Sequence, residues 1–363
     1  SDIPEEKKVN VIAVMFEALT DLSEHPEVPV YSQVYEPLHL LEQESLHGHI
    51  ISNTFGGGTV DSERNFLTGY THTENYRAAT NSFVYYLRQQ GYYAQGLHPG
   101  DGWFYNRQNV ERYLGMEDYY FLEDFSDSNR SDEFFFTKLT ELYNERDKDT
   151  PYFNFSVTYQ NHGAYDSKST GDIAWLDGQG LSRSSYNILN NYLQGVADTT
   201  ERMYDFVDSL RDDPEPVVVV FFGDHIPWLG DGNSVYHELG INIDLSTEEG
   251  FLNYYSTPYI IWANDAAKEA TGGDFTGEGQ DVPACFLMNL VFQECGWEGD
   301  RFMAMNRELM ETVTAVNTGS KLYIVEGELV EEPEGEAAEL LTRYSWAEYY
   351  MKHEFMYDDM YGG

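Results

Sequence analysis

Pro216-Val217-Val218-Val219-Val220-Phe221-Phe222-Gly223-Asp224-His225 is the stretch that decides the fold. Six apolar residues in a row, closed on the N-terminal side by Pro214 and Pro216, read as a strand buried on both faces, as inside a parallel sheet. The run passes straight into Gly-Asp-His. Two metal-competent side chains therefore stand at the carboxyl end of a strand, where ligands collect in open α/β sheets.

Working outward, the same pairing of strand and polar terminus recurs. Val9–Phe16 is a short apolar strand that ends in Glu17. Tyr92–Leu97 is a strand ending in His98, and Tyr152–Thr158 one leading to Gln160-Asn161-His162. His49–Ser52 and Thr257–Trp262 complete the predicted strands of the main sheet. Helices alternate with them: Val34–Glu44, one from about Asp61 to Leu67, Asn81–Gln90, Ser131–Glu145, and Ile188–Leu210 with its 3.6-residue period of Leu189, Leu193, Val196, Met203, Phe206 and Leu210. Val282–Phe292 is also expected to be helical. Alternation of this kind predicts an α/β domain with a mostly parallel central sheet flanked by helices. Residues 164–184, polar and Gly-rich, form a loop long enough to cover a site. From about Ser320 the pattern turns to short strands (Leu322–Ile324, Glu328–Val330) and a last helix, Ala337–His353. The expected organisation is a catalytic domain over 1–319 with a small C-terminal α+β subdomain over 320–363 packed on it.

The composition sets limits on partners. Of 363 residues, 63 are acidic and 21 basic, a net charge of −42, which repels nucleic acid and anionic headgroups at long range. An anionic substrate then needs a locally positive site, built from a metal or from a few placed Arg and His. Tyr (29) and Phe (21) dominate the aromatics, and Tyr suits the walls of polar clefts. No apolar run reaches the length of about 18 residues that spans a bilayer. Cys285 and Cys295 are too few for a disulfide scaffold; on one helix they would lie about 15 Å apart, so two free or buried thiols are expected.

Phe55-Gly56-Gly57-Gly58-Thr59 places three glycines before a threonine at a predicted helix N-terminus. Read alone, this is a flexible loop with a Thr cap. It is also a place where backbone N–H groups and the helix field favour phosphate. His98-Pro99-Gly100-Asp101-Gly102-Trp103-Phe104-Tyr105-Asn106-Arg107 packs a His, an Asp, three aromatics and an Arg into ten residues. Glu17, Asp224 and His225 suit a divalent ion with an open position. Such an ion beside Thr59 would lower the hydroxyl pKa and neutralise an attacked phosphate.

These segments, namely Asn10–Glu17 (NVIAVMFE), Gly57–Gly69 (GGTVDSERNFLTG), His98–Arg107, Asn161-His162 and Gly223-Asp224-His225, resemble the lipoteichoic acid synthase family, in the right order over about residues 9 to 265. That family comprises phosphoglycerol transferases of the alkaline phosphatase/sulfatase superfamily. The resemblance implies one divalent metal on Glu17, Thr59, Asp224 and His225, Mn²⁺ first, with Mg²⁺ or Zn²⁺ as alternatives. It implies Thr59 as the nucleophile on phosphatidylglycerol, releasing diacylglycerol and passing phosphoglycerol to an acceptor hydroxyl on a glycerol-phosphate polymer or glycolipid. His98, Arg107 and His162 match positions that contact phosphate and glycerol; Tyr105 stands where the family often has Trp, and His162 is placed to protonate the leaving alkoxide. Where the family often carries an acid, this chain has Gly100, with Asp101 one step on, so Asp101 joins the expected substrate contacts. The family's catalytic domain stands outside the cell after several membrane-spanning helices, and this chain would be that domain alone, on the outer face of the cell membrane.

Thr-Val-Asp-Ser-Glu in place of C/S-x-P-x-R argues against a true sulfatase. A phosphoglycerol transferase acting on glucan, which uses the same donor and nucleophile, or another hydrolase of the sulfatase superfamily stays open as an alternative. A catalytically dead domain that binds a headgroup or wall polymer is the reading from another class, and the intact Glu17, Thr59, Asp224 and His225 speak against it.

Overall fold

The computed structural model describes residues 2–127 and 129–357. Its centre is a nine-stranded sheet in the order β4-β3-β5-β1-β6-β7-β2-β8, with β9 also paired to β2. The strands are β1 (Asn10–Phe16), β2 (Leu46–Ile51), β3 (Tyr93–His98), β4 (Asp118–Phe121), β5 (Tyr152–Val157), β6 (Val217–Gly223), β7 (Ser256–Ala263), β8 (Gly277–Glu278) and β9 (Val282–Pro283). All pairings are parallel except those of β7, which runs against both β6 and β2.

The central strands are apolar throughout because both faces are covered. On β1, Val11, Ala13 and Met15 enter one core, whereas Ile12, Val14 and Phe16 enter the other. On β6, Val218, Val220 and Phe222 alternate in the same way with Val217, Val219 and Phe221. The helices that matter for the site are α1 (Glu36–Glu42), α2 (Thr59–Thr68), α3 (Phe83–Gln89), α4 (Arg107–Tyr113), α5 (Asp132–Glu145) and α6 (Arg183–Leu210). Helix α6 is capped by Ser182, whose side chain accepts from Ser185 N, and buries its apolar stripe on the face shared with α1 and α5.

Several expectations shift. The predicted helix Val282–Phe292 begins as strand β9 and a 3₁₀ turn, and turns α-helical only over Leu287–Glu294. Pro283 explains the delay, since proline lacks the N–H that a continued helix needs and favours an extended residue before it. Val34–Glu44 shortens to Glu36–Glu42 after a 3₁₀ turn, with Pro37 in the first turn. The small C-terminal sheet is antiparallel and already includes Val313–Asn317, which pairs with Leu322–Val325, and that with Glu328–Val330. A final helix, Gly335–His353, follows. Both cysteines are buried free thiols. Among the described residues no helix is long and apolar enough to cross a membrane.

Candidate active site

Strands β1 and β6 lie side by side, so their carboxyl ends deliver Glu17 and Asp224-His225 to one point. One ligand atom each from Glu17, Asp224 and His225 lies within 4.8 Å of the others, and all three residues are buried. Asp224 Oδ1 accepts from the backbone N–H of Ala18 (2.8 Å) and of His225 (2.7 Å), which fixes the carboxylate in place. Ala18 itself sits at φ 52°, a left-handed conformation that alanine rarely takes and that functional sites often store.

The donor set fits a divalent cation. His225 Nδ1 lies 3.1 Å from the carbonyl oxygen of Ile226, a contact that requires the proton on Nδ1 and leaves Nε2 bare. That bare nitrogen faces Asp224 Oδ2 at 3.1 Å and Glu17 Oε1 at 3.6 Å, and Asp224 Oδ2 is buried with no hydrogen-bond donor. Lone pairs pointed at one another in a buried place call for positive charge between them. Burial first, and then the charge of Asp224, push the Glu17 carboxyl well above the usual carboxylate range.

Thr59 is the first residue of α2. Its hydroxyl donates to Glu17 Oε2 (3.2 Å) and stands 3.4 Å from His225 Nε2. The three glycines before it have different roles. Gly58 takes φ 84° and a Cβ there would stand 2.8 Å from Thr54 Cγ2; Gly56 takes φ 63° and a Cβ would stand 2.8 Å from Trp228 Cβ. Gly57 faces open space, with nothing within 4 Å of where its Cβ would be. The open face is therefore at Gly57, and its neighbours supply the turn.

These groups line a cavity of about 240 Å³ together with His98, Phe104, Tyr105, Arg107, Tyr159, His162 and Trp228. Tyr105 and Asn106 are both left-handed (φ 56° and 57°), a double bend that brings the Tyr105 ring to the cavity, 5.6 Å from the Arg107 guanidinium. Arg107 is buried. Its Nε donates to Glu63 Oε2 (2.9 Å) and its Nη1 to His98 Nε2 (3.1 Å). His98 can accept there because its Nδ1 proton goes to the carbonyl of Val157 (2.9 Å); burial, and then the Arg107 charge, hold its pKa well below the ordinary value. His162 is exposed at the cavity wall, stacked on Tyr159 (5.1 Å, 12°), with Nδ1 2.6 Å from the carbonyl of Gly163.

Asp101 goes elsewhere. It pairs with Arg130 at 3.2 Å and does not line the cavity, because the turn at Gly100 and Gly102 carries it toward the start of α5. Asn161, beside His162, is a structural tie: its amide donates to Thr199 Oγ1 (2.9 Å) on α6. Sequence reasoning passed over Trp228, Tyr159 and Glu111. Glu111 lies one turn along α4 from Arg107, fully buried, with neither carboxyl oxygen bonded to a donor; burial, and then the charge of Glu63, push it well above the usual range.

The chain is similar to several known proteins. A candidate cyclic beta-1,2-glucan modification protein of Rhizobium meliloti is 27% identical over 320 residues, 80% of this chain and 46% of that protein, so the chain spans under half of its relative's length. The solved phosphoglycerol transferase GacH of Streptococcus pyogenes superposes with a TM-score of 0.72 at 18% identity, over 97% of this chain and 88% of that one. The lipoteichoic acid synthase LtaP of Listeria monocytogenes gives 0.62 at 21% identity, over 81% and 74%. The sulfatase family model matches residues 9–281, the segment that carries Glu17, Thr59, Arg107 and His225. With that match over three-quarters of its length, the chain belongs to the sulfatase family.

Proposed function

We propose that the chain is a metal-dependent phosphoglycerol transferase, drawing on phosphatidylglycerol and passing the group to an acceptor hydroxyl. One observation carries this reading: a threonine hydroxyl at a helix N-terminus, 3.2 Å from Glu17 and 3.4 Å from His225, opens on the cavity that Arg107 lines. Glu17, Thr59, Asp224 and His225 would hold a divalent cation, Mn²⁺ first and then Mg²⁺ or Zn²⁺, which would make the hydroxyl more acidic and offset phosphate charge.

The chain's own residues do the rest. Thr59 Oγ, whose proton leaves to solvent on activation and is balanced by the proton that His162 regains from solvent after each cycle, forms a bond to phosphorus as the bond to the diacylglycerol oxygen breaks, leaving phosphoglycerol on the threonine. His162, protonated, gives its Nε2 proton to the departing alkoxide. Arg107, whose Nε and Nη1 are held by Glu63 and His98, offers Nη2 to the phosphate oxygens, and Tyr105 walls the glycerol. The acceptor hydroxyl then forms the new P–O bond, the Thr59 oxygen leaves, and the hydroxyl proton ends on that oxygen. The glycerol-phosphate polymer or glycolipid of lipoteichoic acid synthesis is the first acceptor reading, with the domain on the outer face of a bacterial cell membrane and held there by segments outside this sequence. A glucan acceptor is the second, favoured by the Rhizobium meliloti relative.

Incubation with a labelled phosphatidylglycerol tests the reaction. Thr59→Ala is expected to abolish diacylglycerol release, and mass spectrometry of the quenched wild type to find glycerol phosphate on Thr59. Chelation should stop turnover and Mn²⁺ restore it. Undiminished release by Thr59→Ala overturns the mechanism.

A further inference from the structure

A second cavity of about 300 Å³ adjoins the first and shares Ala164, Tyr165 and Trp228 with it. We propose that this second cavity is the acceptor subsite and that it takes a neutral sugar, a glycan hydroxyl face, in preference to a glycerol-phosphate polymer. The inference deepens the transferase reading and rests on it for the word acceptor; the ligand chemistry rests on the cavity alone.

Three features carry it. The first is the shared wall. Trp228 is half exposed, and its backbone is pressed against the glycine loop, where a Cβ on Gly56 would stand 2.8 Å from Trp228 Cβ. Trp228, with Ala164 and Tyr165, therefore forms a wall common to the cavity that Thr59 lines and to the second cavity. The second is the set of polar groups. Ser167, Ser184, Asp231 and Ser234 all line the cavity, and among the described residues none of their side chains makes a hydrogen bond within the protein. Free hydroxyls and one carboxylate around an aromatic face match a pyranose, which offers an apolar C–H face and a rim of hydroxyls. The third is charge. Among the described residues no Lys, Arg or His lines this cavity, so a phosphate there would meet no lining cation and would face Asp231. On a chain of net charge −42, a polyanionic acceptor meets repulsion at close range and at long range.

Calorimetric titration of the whole domain with a neutral β-linked gluco-oligosaccharide, without donor, tests the ligand class. The saccharide is expected to bind, Trp228→Ala and Ser184→Phe to weaken it tenfold or more, and a short glycerol-phosphate oligomer at equal concentration not to displace it. With labelled phosphatidylglycerol present, Ser184→Phe should lower transfer to the saccharide relative to transfer to water by at least tenfold. No saccharide binding, equal binding by both variants, or displacement by the oligomer overturns the proposal. Loss of diacylglycerol release in the wild type would instead sink the transferase reading, and the titration stands apart from it.

Discussion

Glu63 serves both helices of the site. It lies one turn along α2 from Thr59, and it accepts the Arg107 Nε proton with both side chains buried. Its other oxygen, Glu63 Oε1, has no partner besides the neighbouring Glu111, and neither has Glu111. Burial and the charge of Glu63 outweigh the Arg107 and Arg64 charges nearby and push the Glu111 carboxyl up, so Glu111 is the one that keeps a proton. Glutamine can replace a protonated acid as donor. Glu111→Gln is therefore expected to stay within about 1 kcal/mol of wild type, whereas Glu63→Ala strands Arg107 and costs about 3–5 kcal/mol. Urea unfolding of the two variants decides the matter, and equal losses would show that the proton is not placed on Glu111. Arg107 and His98 were legible in the sequence because their stretch is dense in chemistry. Glu111 was not, because a glutamate on a short helix looks like a solvated face until α2 is packed against it.

At the scale of elements, the far end of α2 is held by the final helix. Tyr344 donates to the carbonyl of Gly69 (2.7 Å), while Glu348 accepts from Thr71 N–H (3.2 Å) and Oγ1 (3.0 Å) and from Lys352 (2.6 Å). Burial alone would raise the Glu348 carboxyl; the hydrogen bond from His72 and the charge and hydrogen bond of Lys352 outweigh it and hold the pKa down to about 2. A carboxyl lowered in the folded state adds stability above its unfolded pKa, and this is lost as pH falls through the folded value. The contribution, about 3 kcal/mol at neutral pH, should fade between about pH 4 and pH 2. Glu348→Gln is expected to show the loss at pH 7 and to flatten the stability profile over that acid range; an unchanged profile would rule out this anchor. The helix itself was legible from its pattern, but its partner was not, since nothing in residues 337–353 points to the end of α2.

For the whole molecule, the alternation of apolar runs and amphipathic stretches was enough to read the layered sheet, because strands buried on both faces leave continuous runs such as Val217–Phe222. The reversal of β7 was not readable, since an apolar run carries no direction. Neither was the turn of Asp101 toward Arg130, which depends on backbone bends at Gly100 and Gly102. The acidic surface has its own consequence for kinetics. Repulsion between a chain of charge −42 and phosphatidylglycerol vesicles is screened as salt shortens the Debye length from about 30 Å at 0.01 M to about 8 Å at 0.15 M. Initial rates on such vesicles are expected to rise several-fold over that range, and a fall would mean that a cationic face meets the membrane. The grip of Tyr344 on Gly69 joins residues 275 positions apart. Synthesis must pass Tyr344 before α2 gains that hold. A chain stopped short of Tyr344 carries Thr59 on a helix whose far end lacks that clamp.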